Sequence, residues 1–258
     1  MAVEFSLENH VARVTIDRAD RMNAVDDATA DELEAIWQKI EADNDVRVVV
    51  LTGAGEKAFC AGADMKGGNA LSGLEYWAHA RPGGFGGLTL RKSLHVPVIA
   101  RVNGLAVGGG FELVLGCDIV VAAEHASFGL PEARVGRMPL DGGMIVLPRM
   151  IPQKIAMGML LTGNRISAQE AADYGLVNTV APVDELDAAV DSWVADILKC
   201  APLSVKAIKE SVKETSDLPV DEAMAKRLPS LVAALESEDA DEGPLAFREK
   251  REPNWKGR

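Results

Sequence analysis

Short apolar runs separated by turns recur along the chain and constrain its fold more than any other feature. Residues 46–52, 96–102 and 119–123 form such runs, and residues 12–16 alternate apolar and polar side chains. Each pattern predicts a β-strand, and we expect strand 12–16 at an outer position. Residues 27–43 carry apolar side chains at helical spacing, which predicts an amphipathic helix. Strands alternating with helices predict parallel strands covered by helices, an α/β fold.

The character of the chain changes near residue 200. A length of 258 residues suits one α/β core with an appendage. We expect residues 1–200 to form the core and residues 201–258 to form a helical C-terminal unit. Within that unit, helical patterns cover 203–215, 219–236 and 244–251, and Pro229 is expected to kink or split the second of them.

The charge balance argues against several classes of partner. The net charge of −12 disfavours a nucleic-acid or anionic-membrane surface, because such partners need a basic face. Cys60, Cys117 and Cys200 are far apart and odd in number, which disfavours a disulfide framework or a zinc site. We therefore expect a cytoplasmic protein without a metal. We do not expect the first ten residues to form a signal peptide, because they carry two glutamates and no apolar core, and no run of uncharged apolar residues is long enough to span a membrane.

A glycine triplet stands between two of the apolar runs. Gly108, Gly109 and Gly110 are followed by Phe111 and Glu112, so a carboxylate lies beside backbone that a ligand can approach closely. If a helix starts here, its first N–H groups are free donors that attract negative charge. Such donors build an oxyanion site. A turn that only lets a helix pack closely on a strand explains the same residues equally well.

Three further segments contain residues that suit a ligand-binding or catalytic site. Residues 59–64 (FCAGAD) form a second small-residue turn, and residues 127–132 (SFGLPE) end in a glutamate behind a proline. Residues 67–87 mix glycine and aromatic residues without a period, which predicts a loop with a helical fragment near a binding site. Taken singly, the turn is more often structural and the glutamate is more often solvated surface.

In this order and spacing, the segments resemble the enoyl-CoA hydratase/isomerase (crotonase) superfamily over essentially the whole chain. The matching stretches are IDRADRMNA at 16–24, LTGAGEKAFCAGADMK at 51–66, VIARVNGLAVGGGFELVLGCD at 98–118, ASFGLPEARVG at 126–136, LTGNRISAQEAADYGLV at 161–177 and GPLAFREKR at 243–251. The resemblance implies a crotonase-like ββα spiral core with a helical C-terminal unit. It also implies a homotrimer or a dimer of trimers that binds an acyl-CoA thioester, with no cofactor beyond the coenzyme A of the substrate.

The same resemblance assigns roles at the turns. The backbone N–H groups of Ala63 and Gly109 fall on the oxyanion hole for the thioester carbonyl. Glu112 and Glu132 fall on the two carboxylates that handle water and protons in the hydratases. The implied reaction is the reversible addition of water across the C2–C3 double bond of a 2-enoyl-CoA, a hydro-lyase reaction.

Substrate contacts are also carried over from the family. The resemblance implies contacts with coenzyme A or the acyl group at Arg21, Met22, Ala61, Asp64, Met65, Lys66, Gly108, Asp141, Phe247 and Lys250. The basic side chains of Lys66, Arg18 and Lys250 are candidates for phosphate contacts. For each of them taken alone, a solvated surface side chain is the favoured interpretation.

The chain departs from the ordinary hydratase pattern after Glu132. Residues 138–144 read MPLDGGM where hydratases carry a Pro-Gly-Ala-Gly-Gly-Thr-type segment at the acyl end of the pocket. Residues 82–88 (PGGFGGL) and 237–258 resemble the carnitinyl-CoA dehydratase (crotonobetainyl-CoA hydratase) branch in particular. Asp141 suits a trimethylammonium group at the acyl terminus, or it caps a helix that starts at Gly142.

Other functions fit the sequence less well. Residues 53–58 (GAGEKA) mimic a dinucleotide-binding turn, but another glycine turn follows instead of an amphipathic helix. An enoyl-CoA isomerase often keeps one of the two glutamates, and a non-catalytic acyl-CoA binding protein on the same fold would lack at least one. Because Glu112 and Glu132 are both present, the sequence favours hydration.

Overall fold

A computed structural model describes residues 1–65, 72–79 and 81–258. Lys66 and part of the predicted loop 67–87 lie outside the described residues. The strands are β1 Val3–Glu8, β2 Val11–Ile16, β3 Val48–Gly53, β4 Ala58–Cys60, β5 Val98–Val102, β6 Leu105–Val107, β7 Ile119–Ala123, β8 Ser127–Gly129, β9 Ile166–Ser167 and β10 Thr179–Ala181. The helices are α1 Asp27–Ala42, α2 Gly73–Ala78, α3 Gly109–Leu115, α4 Gly143–Met150, α5 Gln153–Thr162, α6 Ala168–Asp173, α7 Leu186–Leu198, α8 Pro202–Thr215, α9 Val220–Ala225, α10 Pro229–Leu235 and α11 Glu238–Glu249.

The strands form two sheets. One has the order β1-β2-β3-β5-β7-β10, and all its neighbours are parallel except the β1–β2 pair. The other has the order β4-β6-β8-β9 and is parallel except at β8–β9. The prediction of parallel strands is confirmed. The expectation that strand 12–16 is an outer strand is wrong, because β1 covers the free edge of β2.

The central strands of the larger sheet are buried on both faces. Val49 and Leu51 of β3 belong to the large core that includes α1, whereas Val48 and Val50 belong to a second core with residues of α7. A strand covered on both sides needs an unbroken apolar run, and this explains the sequence of residues 48–51.

Helix α1 confirms the prediction made for residues 27–43. Asp26 caps its N-terminus by accepting a hydrogen bond from the Thr29 N–H at 2.9 Å. Leu33 and Trp37 are fully buried, and the Trp37 Nε1–H donates to the Gly86 carbonyl oxygen at 2.7 Å. The helix thereby holds the segment around Gly86 in place.

The C-terminal region is helical, as predicted. Pro229 splits the predicted second helix, because α9 ends at Ala225 and α10 begins at Pro229 itself. The last helix begins earlier than predicted, at Glu238, where the Ser237 side chain accepts from the Ala240 N–H. The domain boundary near residue 200 stays a prediction. Among the described residues, no helix is both long enough and apolar enough to cross a membrane.

A buried ion pair ties α8 to the larger sheet. The Lys209 ammonium lies 2.5 Å from Asp118 Oδ2 and donates to the Val96 carbonyl oxygen at 2.7 Å. The same carboxylate oxygen accepts the Val98 N–H at 2.7 Å. Because Lys209 retains only 7% side-chain exposure, its removal leaves polar groups without their partner in a region that water hardly reaches.

We predict that Lys209→Met lowers the free energy of unfolding by about 3 kcal/mol. This is the low end of the range for a broken buried ion pair, since Asp118 keeps 27% side-chain exposure. Chemical denaturation followed by circular dichroism measures the change. The matched control is Lys199→Met, which breaks an exposed pair with Asp196 and should leave stability unchanged. Equal stability of the two variants would contradict the assigned role of Lys209.

Candidate active site

Three adjacent parallel strands of the smaller sheet end at the same edge. In β4, β6 and β8, Cys60 pairs with Ala106, Ala106 pairs with Phe128, and Val107 pairs with Gly129. Carboxyl ends of parallel strands are a usual place for ligand sites, because the segments that follow them meet there. The turn at 61–64, the glycine triplet at 108–110 and Glu132 all come shortly after these strand ends.

The two glycine turns touch through their backbones. Gly62 has a φ of +86° and Gly108 has a φ of +58°, and residues with a side chain rarely adopt such positive φ angles. A Cβ atom on Gly62 would lie 3.2 Å from the Gly109 nitrogen, and one on Gly110 would lie 2.0 Å from the Cys60 carbonyl oxygen. Only glycine at these positions permits this approach, so the triplet packs a helix closely on a strand. Its role in an oxyanion site stays a prediction.

The N–H groups of Ala63 and Gly109 belong to the two turns that touch. Val25 accepts from the Asp64 N–H at 3.0 Å and donates to the Gly62 carbonyl at 2.9 Å, so the intervening Ala63 N–H points away from this pairing. Gly109 is the first residue of α3, where an N–H has no partner within the helix. Within the described part of the chain, neither N–H donates a hydrogen bond to the protein. Both remain free for an acceptor.

Glu112 is a buried carboxyl group one turn into α3. Its Oε1 accepts from the Asp141 N–H at 2.9 Å and the Gly143 N–H at 2.8 Å, and only 3% of the residue is exposed. Burial raises the pKa of Glu112 to about 8, and the neighbouring carboxyl groups of Asp141 and Glu132 add to the increase. The group therefore titrates close to neutral pH, as an acid/base catalyst should.

Glu132 lies against the glycine turn at Gly108. It begins a short 3-10 turn after β8, and its Oε1 lies 3.2 Å from the position that a Cβ atom on Gly108 would take. Its Oε2 is buried without a hydrogen-bond partner among the residues that the structure describes. Burial raises the pKa of Glu132 as well. An unpaired buried carboxyl oxygen is costly, which indicates that a ligand or water is its partner.

Ring packing fixes the two elements that carry these glutamates. Phe111 of α3 and Phe128 of β8 are both fully buried, and their ring centroids are 5.4 Å apart. The sequence places each phenylalanine within four residues of a glutamate. This contact therefore holds the backbones of Glu112 and Glu132 at a fixed separation.

Asp141 does not cap a helix, so that alternative is wrong. Helix α4 begins at Gly143 without a side-chain cap. Instead, Asp141 Oδ1 accepts from the Phe85 N–H at 2.9 Å, and its Oδ2 accepts from the Tyr76 hydroxyl at 2.6 Å. Burial raises the pKa of both Asp141 and Tyr76. The sequence interpretation located Tyr76 and Phe85 in a loop near the site but did not predict these contacts.

Arg18 is already bound within the chain. Its Nη2 lies 2.8 Å from Asp26 Oδ2 and 2.9 Å from Asp64 Oδ2, and its Nη1 donates to the Ala24 carbonyl oxygen. Its guanidinium therefore holds the turn that contains Ala63, whereas the sequence had suggested a phosphate contact.

Most candidate substrate contacts lie around the same turn. The Met22 carbonyl accepts from the Ala61 N–H at 3.0 Å, which places Arg21 and Met22 beside the residues 61–65. Phe247 and Lys250, in contrast, lie on or just after α11, and Phe247 is 86% exposed. No hydrogen bond or ion pair joins them to the turn within the described ranges. In the described part of the chain, no group of three His, Cys, Asp or Glu residues is arranged to hold a metal.

Comparisons with known proteins agree with this architecture. The sequence model of the enoyl-CoA hydratase/isomerase family matches residues 6–258. Carnitinyl-CoA dehydratase of Escherichia coli strain K12 is 44% identical over 255 residues, which cover 96% of this chain and 95% of that protein. Carnitinyl-CoA dehydratase of Citrobacter koseri is 42% identical over 264 residues, with 100% and 99% covered.

Solved structures share the fold. Enoyl-CoA hydratase from Bacillus anthracis matches with a TM-score of 0.93 and 36% identity over 100% of both chains. Enoyl-CoA hydratase EchA1 from Mycobacterium marinum matches with a TM-score of 0.90 and 35% identity over 100% of this chain and 99% of that one. These similarities confirm the predicted crotonase-like fold. The chain belongs to the enoyl-CoA hydratase/isomerase family.

Proposed function

We propose that this chain is a hydro-lyase that reversibly adds water across the C2–C3 double bond of a 2-enoyl-CoA thioester. The observation that carries the proposal is the convergence of a buried glutamate, a half-buried glutamate and two free amides on one glycine turn. Its relatives are named hydratases and dehydratases, which supports the same reaction class. A protein that only bound acyl-CoA would have no use for two carboxyl groups with raised pKa values.

The proposed oxyanion hole consists of the Ala63 and Gly109 N–H groups. When water attacks C3, negative charge develops on the thioester oxygen as an enolate. Two backbone donors aimed at that oxygen stabilise the transition state by roughly 3 to 4 kcal/mol each. The start of α3 adds the partial positive charge of a helix N-terminus.

The proposed acid/base pair consists of Glu112 and Glu132. One carboxylate removes a proton from the attacking water while a proton is delivered to C2. Because the charge of each group raises the cost of ionising the other, the two titrate as a coupled pair. Two protein carboxyl groups thus supply both proton transfers, and water and the enoyl-CoA thioester are the two reactants.

A carnitinyl-CoA or crotonobetainyl-CoA substrate is a second candidate within this reaction class. The two relatives described above carry the name carnitinyl-CoA dehydratase. Glu112, Glu132 and Asp141 also place three carboxyl groups close together, and negative charge at the acyl end of a pocket favours a trimethylammonium group. Isomerase activity is less favoured, because a double-bond shift needs no water and one carboxyl group suffices.

We further propose that the enzyme is a cytoplasmic homotrimer or dimer of trimers. Helices α9 to α11 expose large apolar side chains, namely Val220, Met224, Leu235 and Phe247, at 75% or more. Such a surface suits a second copy of the chain. In this assembly, Phe247 and Lys250 would contact coenzyme A together with Arg21, Met22, Ala61, Asp64, Met65, Lys66 and Gly108.

The first test is an assay panel of crotonyl-CoA, a longer 2-enoyl-CoA and crotonobetainyl-CoA. We expect the purified chain to hydrate at least one of them, measured as loss of enone absorbance. A preference for crotonobetainyl-CoA would assign the acyl group. Binding of these thioesters without turnover would contradict the enzyme proposal and support the acyl-CoA binding protein.

We predict that Glu112→Gln and Glu132→Gln each lower kcat by at least about a hundredfold, because each removes a group that exchanges protons in the transition state. Dissociation constants for a saturated acyl-CoA, measured by calorimetry, should change little. Glu214→Gln, at an exposed position on α8, is the control and should retain full activity. Full turnover by either active-site variant would overturn the two-carboxylate mechanism.

The assembly is tested by sedimentation equilibrium. With a chain mass of 27.4 kDa, we expect a species of three or six chains. Leu235→Lys, which introduces a charge at a residue that is 78% exposed in the single chain, should weaken that assembly without unfolding the chain. A monomer at assay concentration would contradict the proposed oligomer and its shared coenzyme A site.

A further inference from the structure

Asp141 is bonded to three separate parts of the site. Its backbone N–H donates to Glu112 Oε1, its Oδ1 accepts from the Phe85 N–H, and its Oδ2 accepts from the Tyr76 hydroxyl. Only 5% of the residue is exposed, so water contributes little to solvating the carboxylate. The two donors stabilise it in place of water.

The hydrogen bond from the Phe85 N–H connects Asp141 to the proposed oxyanion hole. The Phe85 ring packs so closely on Gly109 that a Cβ atom there would lie 2.7 Å from the ring. The next residue, Gly86, is equally close to Leu113 of α3, and its carbonyl oxygen accepts the Trp37 indole N–H of α1. Residues 84–87 therefore form a wedge between α1 and α3, and Asp141 bonds to that wedge.

The hydrogen bond from the Tyr76 hydroxyl connects Asp141 to α2. This helix starts with a capping box in which Ser72 and Glu75 satisfy each other's backbone N–H groups. Further along α2, the Tyr76 hydroxyl donates a hydrogen bond to Asp141 Oδ2. This bond links α2 to the segment before α4. The negative charge of Glu112 also contributes to the raised pKa of the Tyr76 phenol.

We propose that Asp141, with Tyr76 as its partner, is a positioning residue for hydration. Its backbone orients the acid/base carboxyl of Glu112, and its side chain holds the wedge that presses on Gly109. One residue thereby keeps the proton-transfer group and the oxyanion amide in a single geometry. The inference rests on the proposed function and adds a role that does not depend on any contact between Asp141 and the acyl group.

The proposed role of Asp141 depends on its two carboxylate oxygens, because each of them accepts one hydrogen bond. An asparagine at 141 keeps one acceptor oxygen for the Phe85 N–H, but it loses the negative charge and presents an NH2 group to the Tyr76 hydroxyl, which must then accept instead of donate. Both bonds are therefore weakened, since neither is charge-assisted any longer. A phenylalanine at 76 keeps the ring and removes only the hydroxyl. Displacing catalytic groups by about 1 Å costs up to about a hundredfold in rate without a matching change in substrate binding.

The test compares Asp141→Asn, Tyr76→Phe and the double variant with the wild type on crotonyl-CoA and crotonobetainyl-CoA. Wild-type turnover is measured first on these two thioesters and on a longer 2-enoyl-CoA, since its absence with all three would defeat the proposed function itself. We expect Asp141→Asn to lower kcat at least about tenfold and Tyr76→Phe less, with KM changed by less than about threefold. The double variant should resemble Asp141→Asn alone, because both changes break one linked set of bonds.

The matched control is Asp239→Asn. Asp239 is a buried carboxylate on α11 that likewise accepts two hydrogen bonds, from the Lys256 and Gly257 N–H groups at 2.6 and 2.8 Å. Its variant should lose stability but keep kcat below its melting temperature. If Asp141→Asn does not fold, Tyr76→Phe carries the test.

Three results would overturn the proposal while leaving hydratase activity intact. One is wild-type kcat in both Asp141→Asn and Tyr76→Phe. Another is a change confined to KM. The third is a loss confined to crotonobetainyl-CoA when the wild type hydrates both thioesters, which would make Asp141 a contact for the acyl group only.

Discussion

The site depends on a backbone-to-backbone contact between two turns. The residues 61–64 after β4 and the glycines 108–110 after β6 come so close that a methyl group on Gly110 would overlap the Cys60 carbonyl oxygen. This contact determines where α3 begins. It therefore places the Gly109 amide beside the turn of Ala63, and it places Glu112 one helical turn further on. A larger residue at 110 would separate all of these at once, because they follow from one point of contact.

Some polar side chains near this contact hold the backbone through hydrogen bonds or ion pairs, whereas one carboxyl oxygen is available to a ligand. The buried side chain of Asn103 donates to the Gly53 carbonyl at 2.8 Å, and that of Asn23 donates to the Ala58 carbonyl at 2.7 Å, so the loop before β4 is fixed. Arg18 fixes the other side of the turn through Asp64. In the described part of the chain, Glu132 Oε2 has no such partner. The satisfied groups fix the turn, whereas this carboxyl oxygen is left for a ligand or water, and this is how a preorganised site differs from a packed core.

Periodicity in the sequence predicted the elements whose local pattern matches their burial, such as α1 and β7. It overlooked β1, although Phe5 and Leu7 alternate with polar residues, and that omission made β2 an outer strand. The glutamates and glycine turns were identified because several segments matched a family in series. The Tyr76–Asp141 and Arg18–Asp64 pairs had no such signal, since residues 65 and 46 positions apart meet only once the sheets have formed. Local sequence determines elements, whereas these contacts depend on the assembled chain.

The raised pKa of Glu112 also links folding to proton uptake. In the unfolded chain this carboxyl loses its proton near pH 4.5, whereas in the folded chain it keeps the proton up to about pH 8. The stabilisation associated with that proton is therefore complete below about pH 4.5 and declines as the pH rises towards 8. The proposed mechanism requires an ionised carboxyl group for part of the cycle, whereas the folded chain favours the neutral form of Glu112. Ionisation of this one side chain thus produces the form that can accept a proton and, by the same step, reduces the margin by which the native state is preferred.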